Sequence, residues 1–333
     1  MARVKAQLGK AARLYGRVRG EEIVRLVFLG SPAFALPTLE AVRAAGYEIG
    51  LVVTQPDRLA GRGQNSTPTP VAAYARQHAL RVWQTPSLKG PQAEARLKEV
   101  GAQAMVLAAF AALVPGNLLD LTPGGILNVH PSLLPRWRGA APIQSALLAG
   151  DRETGVSIIR LVQALDAGPI LLQERLPIQP HDDFLSLEPR LAALGASLVV
   201  RALAERPAPR PQLESGATYS GRIQREHARI DWAHPSVRIW NQVRAYRGWP
   251  QAFTTFDGRL LKVLRAWPLP DSEDGHAVSE EQVGTVELAG GTPVVTTGSG
   301  RLRLDEVQLE GKRAQSGEAF ARGYPGLQGA KLA

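Results

Sequence analysis

Residues 125–168 read GILNVHPSLLPRWRGAAPIQSALLAGDRETGVSIIRLVQALDAG, and the fold of the chain is organised around this stretch. It begins with an apolar run, Gly125–His130, whose length and composition predict a strand that ends in polar residues. Because side chains alternate between the two faces of a strand, Asn128 and His130 point the same way. Pro131 then ends the strand pairing, since proline has no N–H to donate. We therefore expect two polar groups on one face at a strand end.

The second half of the stretch predicts a helix, a strand and a turn. Pro142 near the start and Gly150 just past the end are typical of helix termini. A second apolar run, 156–162, predicts another strand. It leads to the turn 165–168, in which Asp166 is the one carboxylate among small and apolar neighbours. An amide, an imidazole and a carboxylate thus follow two neighbouring predicted strands.

These three polar groups suit acyl or formyl transfer. Asn128 and His130 can donate hydrogen bonds to an oxygen that gains negative charge, and Asp166 can accept a proton from an attacking amine, directly or through water. Purely structural roles are the alternative for each residue taken alone. Asn128 can cap a strand, His130 can be a satisfied buried histidine, and Asp166 can shape a turn.

The motif in this stretch resembles a known family, the formyltetrahydrofolate-dependent formyltransferases. That family carries Asn-x-His-x-Ser-Leu-Leu-Pro, then a basic-aromatic-Arg-Gly segment and a later Leu-Asp-x-Gly. In this sequence the pattern falls on Asn128, His130, Ser132–Pro135, Arg136–Gly139 and Asp166. The length of the match and its fixed gaps make it a specific signal, and the resemblance extends over roughly residues 25–325.

The resemblance implies a two-domain enzyme that moves a formyl group from 10-formyltetrahydrofolate to the α-amine of a methionine carried on initiator tRNA. It implies catalytic roles for Asn128, His130 and Asp166, and a folate site lined by Ser132, Leu133, Leu134 and Pro135. No metal is required. Two other functions stay open at this point. One is formyl transfer to another amine, on an amino sugar or a ribonucleotide, and the other is RNA binding by a relative that has lost activity.

Two departures from the family pattern bear on the substrates. The loop QPDRLAGRGQNSTPTP carries Gln64-Asn65-Ser66 where relatives are often lysine-rich, so we expect Arg58 and Arg62 to contact tRNA phosphates instead. This loop is too rich in Pro, Gly and Arg to predict regular structure. The second departure is Phe110-Ala111, which stands where relatives usually carry Tyr-Gly. The loss of a hydroxyl there predicts an altered pocket.

Composition and charge fit a protein with a nucleic-acid substrate, and they exclude disulfide-stabilised folds and enzymes with a cysteine nucleophile. The chain has 333 residues, a formal net charge of +9 and no cysteine, so a disulfide framework and a thiolate nucleophile are both excluded. A net positive charge favours an anionic partner. No apolar run approaches the roughly 20 residues that span a bilayer. We expect a cytoplasmic protein without membrane contact, and a monomer.

The domain organisation is predicted from changes in sequence character. Residues 1–24 are predicted to form a basic extension, disordered or helical, and 25–205 read as a doubly wound, Rossmann-like α/β domain. Its first turn, Gly30-Ser31-Pro32, is not a G-x-G-x-x-G loop and gives no reason to infer NAD. Residues 206–218 contain three prolines and predict a linker.

A second domain is predicted over residues 219–333. Five short apolar strands between Ala252 and Leu309 indicate a small, OB-like β-barrel, a fold that often binds nucleic acid. A merely solvated charged surface is the alternative. The candidates for phosphate contacts in this domain are Arg259, Lys262, Arg265, Arg301 and Arg303.

Overall fold

The structure, a computed structural model, describes residues 24–60, 65–270 and 279–333. These residues form two compact units that alternate along the chain. The first comprises the described residues up to Gly139, then Glu153–Pro177 and Glu188–Tyr219. The second comprises Ala140–Arg152, Ile178–Leu187 and Ser220–Ala333. The basic extension predicted over residues 1–24 lies outside the described residues, apart from Val24.

The first unit is built on a seven-stranded sheet. The first ten strands of the chain include the seven of this sheet and three short strands outside it. In chain order they are β1 (Arg25–Gly30), β2 (Glu48–Thr54), β3 (Arg58–Ala60), β4 (Asn65–Thr67), β5 (Val82–Gln84), β6 (Ala104–Ala108), β7 (Ile126–His130), β8 (Arg138–Gly139), β9 (Glu153–Arg160) and β10 (Ile170–Pro177). Of these, β3, β4 and β8 lie outside the sheet. The order across the sheet is β10-β9-β7-β6-β1-β2-β5. Strands β5, β2, β1, β6 and β7 run parallel, whereas β9 pairs antiparallel with both β7 and β10. The predicted α/β domain is confirmed, with an antiparallel edge added.

Helices alternate with the strands as the sequence predicts. They are α1 (Leu36–Ala44), α2 (Pro70–Gln77), α3 (Pro91–Glu99), α4 (Pro142–Ala149) and α5 (Phe184–Glu205). Pro142 opens α4 and Gly150, with a left-handed φ of 70°, ends it, as predicted. Val27 and Leu29 of β1 lie in one apolar cluster with Leu97 of α3. The intervening Phe28 is equally buried on the opposite face, so both faces of the sheet are covered.

The loop after β2 is more regular than its composition predicts. Strands β3 and β4 pair antiparallel, with Arg58 opposite Thr67 and Ala60 opposite Asn65. The prediction of irregular structure over this loop is therefore wrong for these two short segments. Amino-acid composition does not predict such a pairing, because the pairing depends on hydrogen bonds between two stretches of backbone rather than on apolar side chains.

The second unit carries an antiparallel half-barrel sheet, which confirms the predicted C-terminal fold class. The remaining strands of the chain are β11 (Tyr219–Ser220), β12 (Phe253–Phe256), β13 (Arg259–Leu269), β14 (Val286–Ala289), β15 (Thr292–Thr296), β16 (Arg301–Leu309) and β17 (Gln315–Ser316). The order across the sheet is β12-β13-β16-β15-β14, and β17 pairs with β16. All five strands expected between Ala252 and Leu309 are present.

Two helices complete this unit, α6 (Ser236–Ala245) and α7 (Gly317–Gly323). α6 packs against α4 and β13. Sequence reasoning missed α7, which is short and begins and ends with glycine, although Ser316 caps it by accepting a hydrogen bond of 3.2 Å from the Ala319 N–H. Asp183 caps the N-terminus of α5, because its carboxylate accepts a hydrogen bond of 2.9 Å from the Ser186 N–H. Within the described residues, no helix combines the length and apolar character of a membrane span.

Candidate active site

Strand β7 brings Asn128 and His130 to one buried face. All five residues of this strand are buried, and it lies between β6 and β9 in the first unit. Both side chains meet Asp166: the Asn128 amide nitrogen lies 3.4 Å from Oδ1, and Nδ1 of His130 lies 3.7 Å from Oδ2. The three residues are 6%, 4% and 8% exposed. The alternation predicted for the strand therefore holds, and the three groups converge although 38 positions separate Asn128 from Asp166.

Asp166 is held in an unusual backbone conformation. Its φ is 47°, in the left-handed region that Asp tolerates better than most residues. Gly168 follows closely, and a Cβ at that position would lie 1.8 Å from the Arg160 carbonyl oxygen, so only glycine fits there. Oδ2 of Asp166 accepts a hydrogen bond of 2.8 Å from the Gly139 N–H. The turn thus presents a buried carboxylate that is fixed by a backbone donor.

The other ring nitrogen of His130 faces a backbone carbonyl. Nε2 lies 2.9 Å from the Trp137 oxygen, and a carbonyl can only accept, so Nε2 carries the hydrogen and donates. Trp137 reaches this position with a left-handed φ of 63°, which is rare for a bulky residue. Burial lowers the pKa of His130 below its ordinary value, and this outweighs the opposing effects of the Asp166 charge and the Trp137 carbonyl. The neutral ring therefore presents the lone pair of Nδ1 to Asp166.

The loop predicted to line the folate site is itself tightly hydrogen-bonded. Ser132 is buried and its hydroxyl donates to the Arg136 carbonyl at 2.6 Å. The Ser157 hydroxyl links both sides of the loop, since it donates to the Ser132 carbonyl at 2.7 Å and accepts from the Leu134 N–H at 3.1 Å. Leu134 is buried, whereas Leu133 and Pro135 are partly exposed. These hydrogen bonds hold the loop in place next to the end of β7.

The residues predicted to bind tRNA are distributed over both units. Arg62 lies outside the described residues, and Arg58 is placed by its backbone alone, in β3. The other five lie on β13 and β16 of the second unit. Arg303 is paired with Asp305 at 2.6 Å, Lys262 donates to Gln251 at 2.7 Å, and Arg265 is exposed. Arg259 lies 5.7 Å from the ring centre of Tyr324, and Arg301 donates to the Pro270 carbonyl.

Phe110 and Ala111 have structural explanations that sequence reasoning did not supply. Phe110 is 1% exposed and packs in the core of the first unit. Its carbonyl oxygen accepts from the Gln55 amide at 3.4 Å. Ala111 has a left-handed φ of 63°, a conformation that glycine adopts without strain. Ala111 therefore occupies a backbone position that favours glycine, the residue that the family pattern would place there.

Sequence reasoning also missed residues that support the three site groups. Trp137 and Gly139 contact His130 and Asp166 through backbone atoms, a role that their side-chain types do not indicate. Gln212 contacts the Asp166 turn from the segment predicted as a linker, and no signal in the sequence pointed to it. Among the described residues, no group of three or more His, Cys, Asp or Glu side chains is arranged to hold a metal ion.

The largely parallel sheet, with an amide and an imidazole on β7 and a carboxylate in the turn that approaches them, defines a formyl-transfer type of site. The sequence matches the family described as "Formyl transferase" over residues 24–203, and the one described as "Formyl transferase, C-terminal domain" over residues 222–325. The chain belongs to the formyl transferase family. The resemblance predicted from the motif is thereby confirmed, and so is the enzyme class.

Individual relatives refine this placement. The methionyl-tRNA formyltransferase of Ruegeria pomeroyi is 41% identical over 311 residues, which cover 93% of this chain and 100% of the relative. The methionyl-tRNA formyltransferase of Gluconobacter oxydans is 42% identical over 310 residues, with the same coverage of 93% and 100%. The crystal structure of an N-formyltransferase from Helicobacter canadensis has a TM-score of 0.62 at 17% identity, and the match covers 85% of this chain and 99% of that one. This last likeness concerns the fold alone.

Proposed function

We propose that this chain transfers the formyl group of 10-formyltetrahydrofolate to the α-amine of methionine on initiator tRNA. Membership of the formyl transferase family and about 41% identity to methionyl-tRNA formyltransferases over 93% of the chain support this function. The observation that carries the chemistry is the convergence of Asn128, His130 and Asp166 around one buried point. Each of these residues matches the motif position from which the sequence predicts it.

Asp166 and His130 manage the proton in this reaction. The attacking amine must lose one proton, and the nitrogen that leaves the formyl carbon must gain one. Asp166 accepts the proton directly or through water, and Nδ1 of His130, which carries a lone pair and lies 3.7 Å from the carboxylate, can hold it next. Protonated Nδ1 then donates to the leaving nitrogen, so the pair ends the reaction in the state in which it began.

Asn128 and His130 also stabilise negative charge on the formyl oxygen. The amide of Asn128 is a fixed donor on a buried strand, and fixed donors in a site of low polarity are strong stabilisers of a developing oxyanion. Nε2 of His130 is occupied by the Trp137 carbonyl, so His130 can donate to this oxygen only through a protonated Nδ1. The proton taken from the amine therefore strengthens the oxyanion site as the charge develops.

The remaining roles follow the family pattern. The folate site is proposed to lie along Ser132, Leu133, Leu134 and Pro135, with the partly exposed Leu133 and Pro135 as its contact residues. We propose that residues 25–205 carry catalysis, that 206–218 connect the domains, and that 219–333 bind tRNA. The phosphate contacts are assigned to Arg58, Arg62, Arg259, Lys262, Arg265, Arg301 and Arg303. The protein acts as a monomer in the cytoplasm, and the proposed chemistry uses no metal.

A formylation assay tests this function. The purified protein is incubated with 10-formyltetrahydrofolate and methionyl-tRNA, and formylmethionyl-tRNA is quantified. We expect the Asp166→Ala and His130→Ala variants to lose about 10²–10⁴-fold in kcat. The control is Asp120→Ala, which removes an 87% exposed carboxylate of the same unit and keeps parental activity. A well-folded parent that formylates an amino sugar but leaves methionyl-tRNA untouched contradicts the proposed acceptor, and full activity of Asp166→Ala contradicts the catalytic assignment.

A further inference from the structure

The side chain of Arg138 is buried beside the site and is held by residues of the segment 206–218. It is 2% exposed, yet it carries a full charge. Glu214 accepts two hydrogen bonds from its guanidinium, at 3.0 and 2.8 Å, and Oε1 of Gln212 accepts two more, at 3.1 and 2.9 Å. The pKa of Arg138 is raised above its ordinary value, chiefly by the hydrogen bonds that it donates to Glu214. This segment therefore pairs a buried cation with a carboxylate and fixes its orientation.

Gln212 connects Arg138 to the turn that carries Asp166. Because Oε1 is committed to Arg138, the orientation of the amide is determined and Nε2 points the opposite way. Nε2 donates to the carbonyl oxygens of Asp166 and Gly168, both at 2.7 Å. One amide thus spans the backbone on both sides of Ala167 and ties it to Arg138.

The segment 206–218 also holds the backbone of Trp137 and Arg138, next to the groups that contact Asp166 and His130. The Arg138 N–H donates to the Thr218 carbonyl at 2.9 Å, and the Trp137 N–H donates to the Thr218 hydroxyl at 2.9 Å. These bonds hold the backbone that presents the Gly139 N–H to Asp166 and the Trp137 carbonyl to His130. Both sides of the Asp166–His130 contact are therefore anchored by residues between 212 and 218.

We infer that Gln212 is a positioning residue for Asp166, and that the segment predicted as a linker is part of the catalytic apparatus. Asp166 has a left-handed φ of 47°, so its turn needs external hydrogen bonds to stay in place. A displacement of about 1 Å at a reacting group costs about 10²-fold in rate. Loss of the two donors of Gln212 therefore acts on kcat, through Asp166, rather than on substrate binding. This inference rests on the proposed catalytic role of Asp166.

The Gln212→Glu variant tests the role selectively. It keeps an oxygen acceptor for Arg138 but replaces the donor by a second oxygen, which repels the carbonyls of Asp166 and Gly168. Gln212→Met removes the amide at similar volume and adds no charge. A matched control is available, because the Nε2 of Gln242 also bridges two carbonyls, those of His227 at 2.8 Å and Arg229 at 2.9 Å, in the second unit. Gln242→Glu makes the same chemical change away from the site.

We expect Gln212→Glu and Gln212→Met to lower kcat by about 10- to 100-fold, with little change in KM for the formyl donor. Gln242→Glu keeps the parental kcat. The decisive measurement is a double-mutant cycle: in an Asp166→Ala background, Gln212→Met causes no further loss, because the group it positions is already gone. Thermal midpoints of all variants are recorded in parallel.

Two results overturn the inference. One is a parental kcat in folded Gln212→Met, and the other is an equal loss from Gln212→Met with and without Asp166, which is the result of a purely structural role. The proposed function is judged separately, by the activity of the parent toward methionyl-tRNA. If the parent prefers another amine acceptor, the same cycle is run with that acceptor and decides the inference equally.

Discussion

Nε2 of His130 lies 2.9 Å from the carbonyl oxygen of Trp137, and this contact determines which ring nitrogen faces the reaction. Because the carbonyl accepts only, Nδ1 remains for Asp166, at 3.7 Å. The contact is possible because Trp137 adopts a left-handed φ of 63°. A strained backbone position next to the site thus selects the tautomer that can pass a proton between the carboxylate and the substrates.

His130 makes the stability of the protein dependent on pH. Burial lowers its pKa below the ordinary 6.5, so the unfolded chain binds a proton at a pH where the folded chain does not. Its contribution to the free energy of unfolding is present above about pH 6.5 and is lost as the pH falls below that value. We expect urea unfolding at pH 7.5 and 5.5 to show a smaller decrease for His130→Gln than for the parent. Equal decreases in both proteins contradict the assignment of a neutral, buried imidazole.

Asn128 is expected to act as an oxyanion donor. Loss of one such donor costs about 2.7–4 kcal/mol of transition-state stabilisation, so Asn128→Ala lowers kcat/KM by about 10²–10³-fold. Asn128→Asp is nearly isosteric but places a second carboxylate against Asp166, where the amide nitrogen now lies at 3.4 Å. Like charges at this distance disfavour ionisation of both groups, so we expect this variant to be the less active of the two at neutral pH. An Asn128→Ala variant as active as the parent excludes the donor role.

The fold and the core of the site were largely predictable because they depend on local patterns. The alternation along Gly125–His130 places Asn128 and His130 on one face, and Pro142 and Gly150 mark the ends of α4. The fixed spacing of the family motif adds Asp166, whose approach to β7 no local rule predicts. These features are encoded by side-chain type and spacing, which a sequence displays directly.

The features that the sequence did not predict depend on backbone contacts between distant segments. The Trp137 carbonyl and the Gly139 N–H take part through atoms that every residue has, so their residue types carry no signal. Gln212 lies in a proline-rich stretch whose composition indicates a linker, and its contact with Asp166 spans 46 positions. The β3–β4 pairing was missed for the same reason. Such contacts become visible only once the chain is folded.

Ala111 provides a test of backbone strain in this chain. Its φ of 63° is costly for an L-residue with a Cβ, and glycine removes that cost. We expect Ala111→Gly to raise the free energy of unfolding by about 0.5–1 kcal/mol, since the relief of strain exceeds the added entropy of the unfolded chain. Ala112→Gly is the control, because Ala112 has no such φ and the change should destabilise. Denaturant unfolding of the three proteins measures the difference, and a destabilised Ala111→Gly variant contradicts the explanation.

Variants of Arg265 and Arg303 compare the contributions of an exposed and a paired guanidinium to tRNA binding. Arg265 is exposed on β13, and among the described residues no hydrogen bond or ion pair of its side chain is found, whereas Arg303 is paired with Asp305 at 2.6 Å. A free guanidinium that contacts a phosphate releases a counterion on binding, so Arg265→Ala should weaken tRNA binding and reduce the slope of log K against log salt by about 1. Arg303→Ala should have a smaller effect on both quantities, because Asp305 already neutralises much of its charge. Binding curves between low and moderate salt measure both slopes. If the two variants leave the parental slope unchanged, neither Arg265 nor Arg303 contacts a phosphate, and the assignment of these two residues to the tRNA surface is wrong.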